Sequence, residues 1–296
     1  MDIVLPLVAA DLDAYLTIQR PTFERWYRDL GTTWVVVPRR DFDPVTRATR
    51  ALAGIRVVDE LELVPEIRLS QLVGGSTTRN WQLQQLVKLA AIAAVETDFA
   101  LVVDADVFAT GPVGDDDLVV EGRAIRPRES RDNHPDWAEQ AALALDMDPL
   151  DYCASVSPSV LSREGVRLLA AYAERHISVR RLKVRLAAFI PGLRALTRSW
   201  RGHLFGVMPW TEYQLYDTFL VGTGSFDRFH FYSDDPVVYD NCVWTTAEFA
   251  RWSPRRDLDG PQSFFSVVQG TSAPVPAVVE RLRAAGLLDP SDSGSA

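Results

Sequence analysis

The chain has 296 residues, of which 47% are hydrophobic and 24% are charged. These proportions are typical of globular proteins, so they exclude wholesale disorder and predict a sizeable packed core. The formal net charge of -9 argues against bulk attraction to nucleic acid, so no nucleic-acid partner is expected. Two cysteines, Cys153 and Cys242, cannot form a disulfide framework in a chain this long, which favours a reducing, cytoplasmic location.

Residues 1–7, M-D-I-V-L-P-L, contain no basic residue and no long apolar run. They are expected to form a first strand and not a signal peptide. The sequence contains no run of eighteen apolar residues, so no membrane-spanning helix is predicted.

The first half of the chain alternates β-rich runs with helical patterns, which is typical of βα units around a mainly parallel sheet. The predicted strands are Asp2–Pro6, Trp34–Pro38, Ile55–Asp59 and Phe99–Val103, and the clearest predicted helix is Trp81–Val95.

One face of this helix carries polar residues in an otherwise apolar sequence. Asn80, Gln84 and Lys88 recur at four-residue spacing, with Gln85 beside them. This pattern indicates the edge of a ligand site. Asn80, or the threonines at 77 and 78, can also cap the helix.

The second half is less regular. It predicts a strand at Tyr152–Ser159, a helix at Arg163–Arg175 that Ser162 can cap, and a helix at Trp210–Phe219. The tail that follows Asp289 is polar and is expected to be disordered.

A basic amphipathic segment, residues 175–201, contains eight Lys and Arg residues and no Asp or Glu. Three interpretations of this basic segment remain open. It contacts an anionic membrane surface or a lipid-diphosphate acceptor, forms a mobile lid over the site, or packs on the main domain as a helix pair.

Two carboxylates, Asp104 and Asp106, follow the apolar strand that ends at Val103. Ligands bind at this end of the strands in open α/β sheets. Such a pair suits Mg²⁺ or Mn²⁺, which take oxygen ligands and accept waters or phosphates in their remaining positions. The ion would neutralise charge on a departing diphosphate. As an isolated pattern, two aspartates with one residue between them are also typical of solvated turns.

Residues 81–89, W-Q-L-Q-Q-L-V-K-L, followed by L-V-V-D-A-D, resemble a helix-then-strand passage of nucleotide-sugar glycosyltransferases with the GT-A fold. Residues 210–216, W-T-E-Y-Q-L-Y, resemble an element of bacterial GT-A-like proteins, many of them uncharacterised. The resemblance implies a single α/β domain with a GT-A-like, Rossmann-like architecture, in which helices flank a mainly parallel central sheet.

The resemblance also assigns roles at the donor site. Asp106 corresponds to the principal metal ligand, and Asp104 to the residue that touches the donor ribose or the metal through water. Lys88 and Gln85 would meet the nucleotide or its phosphates, although a helix lysine can also extend to solvent. Asp11, after the first strand, is either a nucleotide contact or a helix cap.

Glu212 is the candidate catalytic base. A direct displacement at the anomeric carbon needs a carboxylate that takes the proton of the acceptor hydroxyl, and it inverts that centre. The alternative for Glu212 is a glutamate that interacts with the dipole of its helix. Asp217 is the reserve base. Trp210, Tyr213 and Tyr216 are either a wall for a sugar ring or core aromatics.

The sequence departs from the GT-A pattern at the third metal ligand, which many such enzymes supply as a C-terminal histidine. No histidine follows His230, and the apolar neighbours of His230 favour a buried strand histidine. Asp240, Gln269 or water could take its place.

Two further polar stretches have a double interpretation. Arg126, Arg128 and Arg131 begin a stretch that continues through residues 132–137 and either contacts phosphates or forms a solvated loop. The serine-rich run 155–159 either binds sugar hydroxyls or forms a turn.

The predicted function is a metal-dependent glycosyltransferase with a nucleotide diphosphate sugar donor, for which a UDP-sugar is favoured, and an inverting mechanism. The acceptor is a saccharide, a lipid-linked or a small molecule. Residues 1–275 would form the domain, with a donor half at 1–125 and an acceptor half at 126–275, and residues 276–296 a helix and tail. The protein would be cytoplasmic, with peripheral membrane contact through the basic segment as one option.

Two other functions compete. In a haloacid-dehalogenase-type phosphatase, Asp104 would be the nucleophile and Asp106 the acid/base, with residues 233–235 and Lys183 completing the site. In such enzymes the two aspartates follow a strand near the N-terminus, whereas here about 100 residues precede them. The other competitor is a catalytically silent GT-A-like domain that binds a nucleotide sugar.

Overall fold

The computed structural model describes residues 1–70, 77–154, 157–233, 238–254 and 263–289, with only the helical backbone for residues 77–80. In chain order the strands are β1 (Asp2–Pro6), β2 (Thr33–Val37), β3 (Ile55–Asp59), β4 (Phe99–Val102), β5 (Val107–Ala109), β6 (Val119–Val120), β7 (Arg123–Pro127), β8 (Glu129–Ser130), β9 (Tyr152–Cys153), β10 (Ser159–Ser162), β11 (His230–Ser233) and β12 (Phe265–Val267).

Helices pack around these strands. They are α1 (Leu12–Ala14), which continues through a π-helical turn (Tyr15–Gln19) into α2 (Arg20–Trp26), then α3 (Phe42–Thr49), α4 (Glu60–Leu63), α5 (Thr77–Ala94), α6 (Asp115–Leu118), α7 (Pro135–Leu145), α8 (Arg163–His176), α9 (Leu182–Ala187), α10 (Trp200–Val207), α11 (Glu212–Gly222), α12 (Phe226–Phe229), α13 (Thr246–Arg251) and α14 (Val275–Ala284). Short 3-10 turns lie between several of them.

The central sheet has the strand order β10-β4-β1-β2-β3. Strands β1 to β4 are parallel, and β10 runs antiparallel to β4 at one edge. The four strands predicted in the first half are therefore confirmed to within a few residues, and so is the helix predicted at Trp81–Val95.

The sheet is buried on both faces, as the apolar composition of its strands predicts. In β1 and β2, Val4 and Trp34 pack into the core cluster that contains α5, while Ile3, Leu5 and Val35 pack into the cluster on the opposite face. This alternation follows from the two-residue period of a strand. It fixes the register of the sheet, because a slip of one residue would exchange the two faces.

Two predicted boundaries in the second half are wrong. The single strand predicted at Tyr152–Ser159 is two strands, since β9 pairs with β8 whereas β10 joins the central sheet. Pro158, which has no N–H to donate, immediately precedes β10. The helix predicted from Trp210 begins at Glu212, because Thr211 has an extended backbone. The predicted cap of α8 is confirmed, since Ser162 accepts a hydrogen bond from the N–H of Gly165.

The C-terminal helix α14 packs on the same body. Its Val278 and Leu282 lie in a third core cluster with Ile18 from the π-helical turn. Among the described residues, no helix is long and apolar enough to cross a bilayer. The division into donor and acceptor halves, and the boundary at residue 275, stay predictions.

Candidate active site

A cleft of about 650 Å³ opens at the carboxyl end of β4. This is where parallel α/β sheets bind ligands, because the strand ends and the following loops converge there. The main cleft, as we call it, is lined by Trp81, Gln85, Lys88, Asp104, Asp106, Glu129, Asn133, His134, Trp137, Ser157, Thr211, Glu212, Tyr213, Trp244, Val267 and Gln269.

At the floor of the main cleft, Lys88 bridges two carboxylates. Its Nζ lies 2.9 Å from Oδ1 of Asp104 and 2.8 Å from Oε1 of Glu212. Lys88 is only 3% exposed, so it is not a helix lysine extending to solvent. The bridge joins the middle of α5, the end of β4 and the first turn of α11.

Burial and charge act against each other in this group. Burial lowers the pKa of Lys88, but Asp104 and Glu212 raise it well above its ordinary value, so the ammonium stays charged. Burial raises the pKa of Glu212, and Lys88 counteracts that shift. Burial and the charge of Asp104 raise the pKa of Asp106 to about 7. Three carboxyl groups thus lie near a single ammonium group, which pairs with two of them.

Three polar side chains hold this group in place. Gln19, from the π-helical turn, donates from Nε2 to the carbonyl of Asp104 at 2.5 Å. Ser157 donates from Oγ to Oδ2 of Asp104 at 2.7 Å and also contacts the Tyr213 hydroxyl at 2.8 Å. The backbone N–H of Glu212 donates to Oε1 of Gln85 at 3.4 Å. Sequence reasoning assigned no role to Gln19, because the contact depends on the tertiary approach of two distant segments.

The amide of Gln85 is therefore occupied on both sides, since its Nε2 donates to the Trp81 carbonyl at 3.1 Å. Gln85 lines the main cleft, but it anchors the start of α11 to α5. Its role in nucleotide binding stays a prediction.

Aromatic rings form one wall of the main cleft. His134 stacks on Trp137 with ring centroids 3.9 Å apart, and Trp137 in turn lies 5.7 Å from Trp81. Trp81 and Trp244 are both 42% exposed, which is high for tryptophan. Sequence reasoning missed these two, although Trp81 lies four residues before Gln85 on the polar face of the helix.

A second cleft, of about 520 Å³, lies at the carboxyl ends of β1, β2 and β3. Trp81 lines both clefts. Asp11 lines the second cleft and not the main one. It occupies the N-cap position of α1, but its side chain makes no capping hydrogen bond. Burial of its carboxyl group and, to a smaller extent, the charge of Asp104 raise the pKa of Asp11. The second cleft also contains Arg39, Arg40, Glu60 and Gln84.

Asp217, the reserve base, does not line the main cleft. Its carboxylate is fully buried and pairs with Arg126, with Oδ1 2.7 Å from Nη2. The side chains of Asp217 and Glu212 therefore face different surroundings, although they lie on the same helix. The structure gives Asp217 a scaffold position, and the reserve assignment is wrong because the carboxylate has no access to the cleft.

The expected arginine loop is also corrected. Arg126 lies inside β7 and is buried, Arg128 lies over the ring of Tyr232, and Arg131 pairs with Glu139. Of the residues that follow, Asn133, His134 and Trp137 do line the main cleft.

Two of the three proposed wall aromatics belong to the core. Trp210 and Tyr216 are buried, and only Tyr213 lines the main cleft. His230 is buried as well, with Nε2 2.8 Å from the Tyr216 hydroxyl, as its apolar neighbours predicted. Burial lowers its pKa well below the ordinary value, so it is neutral at physiological pH.

Among the described residues, no cluster of three or more His, Cys, Asp or Glu is placed to hold a metal ion. Asp104 and Asp106 supply two carboxylates, and Gln269 lines the same cleft. The N–H of Val268 donates to the Asp106 carbonyl at 3.2 Å, which brings Gln269 next to Asp106. Asp240 does not line the cleft. These oxygen donors fit a hard divalent cation that retains water or phosphate ligands.

Several residues named from the sequence lie outside the described residues. They are Ser155 of the serine run, the aspartates at 234 and 235, and the side chains of Thr77, Thr78 and Asn80. Of the other serines, Ser157 contacts Asp104, and Ser159 is buried against Arg126.

We expect Asp217→Asn to destabilise the fold by about 3–5 kcal/mol, because it leaves the Arg126 guanidinium buried without a carboxylate. The double variant Arg126→Met/Asp217→Leu should recover most of this loss, since it buries no charge. Urea unfolding of the three proteins measures the difference. If Asp217→Asn keeps full stability but loses function, Asp217 acts in the cleft after all.

Glu60, in the second cleft, gives a pH-dependent prediction. Burial and the neighbouring Asp59 raise its pKa from 4.5 to about 7 in the folded protein. Because the folded state then holds this proton more tightly, the stability that the protonated group contributes is present below about pH 4.5 and is lost as the pH rises through 7.

Glu60→Gln should therefore raise the melting temperature relative to the parent protein at about pH 8 and change it little at about pH 4. Thermal unfolding at both pH values measures this difference. Glu62→Gln, an exposed glutamate of the same helix, is the control. An equal effect of Glu60→Gln at both pH values would contradict the assignment.

Comparison with solved structures shows the same fold in glycosyltransferases. Mouse xyloside xylosyltransferase 1, in its apo form, is 13% identical with a TM-score of 0.50, and the match covers 92% of this chain and 99% of that one. An active-site mutant of LgtC is 14% identical with a TM-score of 0.51, covering 98% and 96%. A complex of the galactosyltransferase LgtC with donor and acceptor sugar analogues is 13% identical and has a TM-score of 0.48, covering 98% and 96%.

The expected GT-A-like architecture, with a mostly parallel sheet between helices, is confirmed by these neighbours. No curated protein matches the sequence. The model of the family of unknown function DUF6492 matches residues 1–286. The chain belongs to the family DUF6492.

Proposed function

We propose that the protein is a glycosyltransferase that moves a sugar from a nucleotide diphosphate sugar to an acceptor hydroxyl. The observation that carries this proposal is the group at the end of β4, where Asp104, Asp106, Lys88 and Glu212 meet on the floor of an open cleft. It combines oxygen ligands for a cation with a carboxylate that can act as a base. The shared fold with glycosyltransferases supports the proposal. Nothing in the fold favours the phosphatase, in which the D-x-D would follow the first strand.

The two clefts suggest how the donor lies. The nucleoside would occupy the second cleft, near Asp11 and the exposed Arg39 and Arg40, and the diphosphate would extend past Trp81 to the main cleft. The sugar would then lie over the Lys88 bridge. A UDP-sugar is the donor to test first, because the resemblance to nucleotide-sugar glycosyltransferases favours it.

A divalent cation, Mn²⁺ or Mg²⁺, would be held by Asp104 and Asp106, with Gln269 as a neutral third ligand. When bound, such an ion neutralises the charge that develops on a leaving diphosphate. The excess of carboxylates over ammonium groups in the main cleft supports this assignment. Lys88 holds Asp104 in position, whether or not it also reaches a phosphate.

Glu212 would be the base of an inverting transfer. Its Oε1 is held by Lys88, while its Oε2 is buried without a hydrogen-bond partner among the described residues. An unsatisfied carboxylate oxygen at the cleft floor is costly unless a ligand uses it. The hydroxyl of the acceptor is a donor of the right kind. The raised pKa of Glu212 suits a group that must accept a proton.

The aromatic wall supports a saccharide acceptor, because the apolar faces of sugar rings stack on exposed aromatic rings. Trp81 and Trp244 are the exposed rings of this kind in the main cleft. Lipid-linked and small-molecule acceptors remain alternatives. We also propose a cytoplasmic location, since Cys153 and Cys242 are not joined in a disulfide.

Nucleotide binding tests the donor and the cation together. UDP, GDP and dTDP are added separately to the protein, each with Mn²⁺ and with EDTA, and thermal unfolding is recorded. We expect one nucleotide to raise the melting temperature by a few degrees with Mn²⁺ and not with EDTA. A shift of this size is expected because a ligand at about 100 times its dissociation constant stabilises the folded protein by roughly 2.7 kcal/mol.

Asp106→Ala should abolish this metal-dependent shift while the protein without ligand melts at nearly the same temperature. The control is Asp43→Asn, which also removes one negative charge but lies on the exposed face of α3. This variant should keep the shift in melting temperature. Metal-dependent binding that survives Asp106→Ala would remove Asp106 from the site. No shift with any nucleotide would overturn the proposed donor class.

Glu212→Gln separates catalysis from binding. The variant keeps the shape of the side chain but cannot take a proton, so we expect kcat to fall on the order of a hundredfold or more with KM for the donor nearly unchanged. Transfer to the acceptor identified in a substrate screen is the measurement. Full activity would end the role of Glu212 as base, and a product that retains the donor's anomeric configuration would exclude the inverting mechanism.

A further inference from the structure

The basic segment contains a surface that the proposed function does not use. Leu182, Leu186, Phe189 and Ile190 are exposed large apolar side chains, and Phe189, at 84%, is almost completely so. They lie within nine consecutive residues. Clustered exposed apolar side chains on a folded protein mark a contact surface more often than single ones do.

The geometry of α9 explains why these residues stay exposed. Val184 and Ala187 are buried and hold the helix on the protein body. Leu182 and Leu186 are one helical turn apart on the opposite side. Hydrogen-bonded turns continue beyond the helix to Ile190, which extends the exposed stripe to Phe189. The helix therefore has one apolar side that is packed and one that is open.

Cationic side chains flank the open stripe. Lys183 and Arg185 lie on either side of it along α9, and Arg194 and Arg198 follow; all four are exposed. The whole basic segment carries eight basic and no acidic residues, although the chain has a net charge of -9. The basic segment is thus positively charged on a protein whose net charge is negative. An anionic surface attracts this segment and repels the rest of the protein.

We propose that the open face of α9 and the turn after it, residues 182–198, dock on the surface of an anionic lipid bilayer. An apolar stripe between Lys and Arg side chains is the pattern of a helix that lies in the membrane interface. The apolar side chains enter the boundary between headgroups and acyl chains, and the cations contact lipid phosphates.

Other occupants fit the surface less well. A second copy of the chain would bring two sets of cations face to face, which costs free energy. A nucleic acid would satisfy the cations but would leave Phe189 and Leu182 exposed to water. The bilayer alone satisfies both kinds of side chain.

The docking surface is coupled to the main cleft through the chain. Arg181, at the start of α9, donates to the carbonyl of Met208 at 3.1 Å. Met208 directly follows α10, and only three residues separate it from Glu212. The main cleft would therefore stay close to the membrane surface when the protein is docked.

Flotation of the full chain with lipid vesicles tests the proposal. We expect the protein to float with vesicles of phosphatidylcholine and phosphatidylglycerol, and not with phosphatidylcholine alone, and added salt should weaken the binding. Lys183→Gln/Arg185→Gln should weaken partitioning by about fivefold for each charge. Phe189→Ser should weaken it by about tenfold or more, through the loss of buried apolar area.

Arg47→Gln/Arg50→Gln, at the C-terminal end of α3, is the matched control, because it removes two exposed charges outside the basic segment. Its partitioning should equal that of the parent protein. All variants change exposed side chains, and unchanged melting temperatures confirm that they fold.

Three results would overturn the proposal. The first is equal binding to neutral and anionic vesicles. The second is a control variant that weakens binding as much as Lys183→Gln/Arg185→Gln does. The third is a dimer, detected by light scattering, that the substitution Phe189→Ser dissociates. The last result would assign the surface to a second copy of the chain.

Discussion

The main cleft depends on one buried ammonium group. Lys88 is almost fully removed from water, and an isolated charge in that position would cost several kcal/mol. It is tolerated because Asp104 and Glu212 approach it from β4 and α11. Three elements from different parts of the chain must therefore meet before this charge is compensated. The packing of these three elements therefore also brings Lys88, Asp104 and Glu212 together on the floor of the main cleft.

Helix α11 carries two carboxylates that lie in different surroundings. Glu212, in its first turn, pairs with Lys88 and lines the main cleft, whereas Asp217, further along, is enclosed with Arg126 in the core. Burial raises the pKa of both carboxyl groups, and a basic partner lowers it again in both. The difference between a candidate base and a scaffold ion pair is access to the cleft. The pKa shifts of the two carboxyl groups do not distinguish these roles.

Features set by local sequence could be predicted, and features set by distant pairing could not. Strands β1 to β4 and helix α5 follow from short-range periodicity. The position of Asp104 and Asp106 after β4 could also be predicted, because a strand end is a local feature. The contact of Gln19 with Asp104 and the burial of Arg126 depend on residues 85 and 91 positions away. In α9, Val184 and Leu186 fit the same apolar pattern, and only tertiary packing decides that one is buried and the other exposed.

The tryptophans of the aromatic wall also provide an intrinsic fluorescence signal for ligand binding in the main cleft. Three of the eight tryptophans, Trp81, Trp137 and Trp244, line the main cleft. Indole emission responds to the polarity and stacking of its surroundings, and His134 lies face to face with one of these rings. A ligand that enters the main cleft changes those surroundings directly. Occupancy of the cleft can therefore be followed by intrinsic fluorescence on the unlabelled protein, including with candidate substrates that are never turned over.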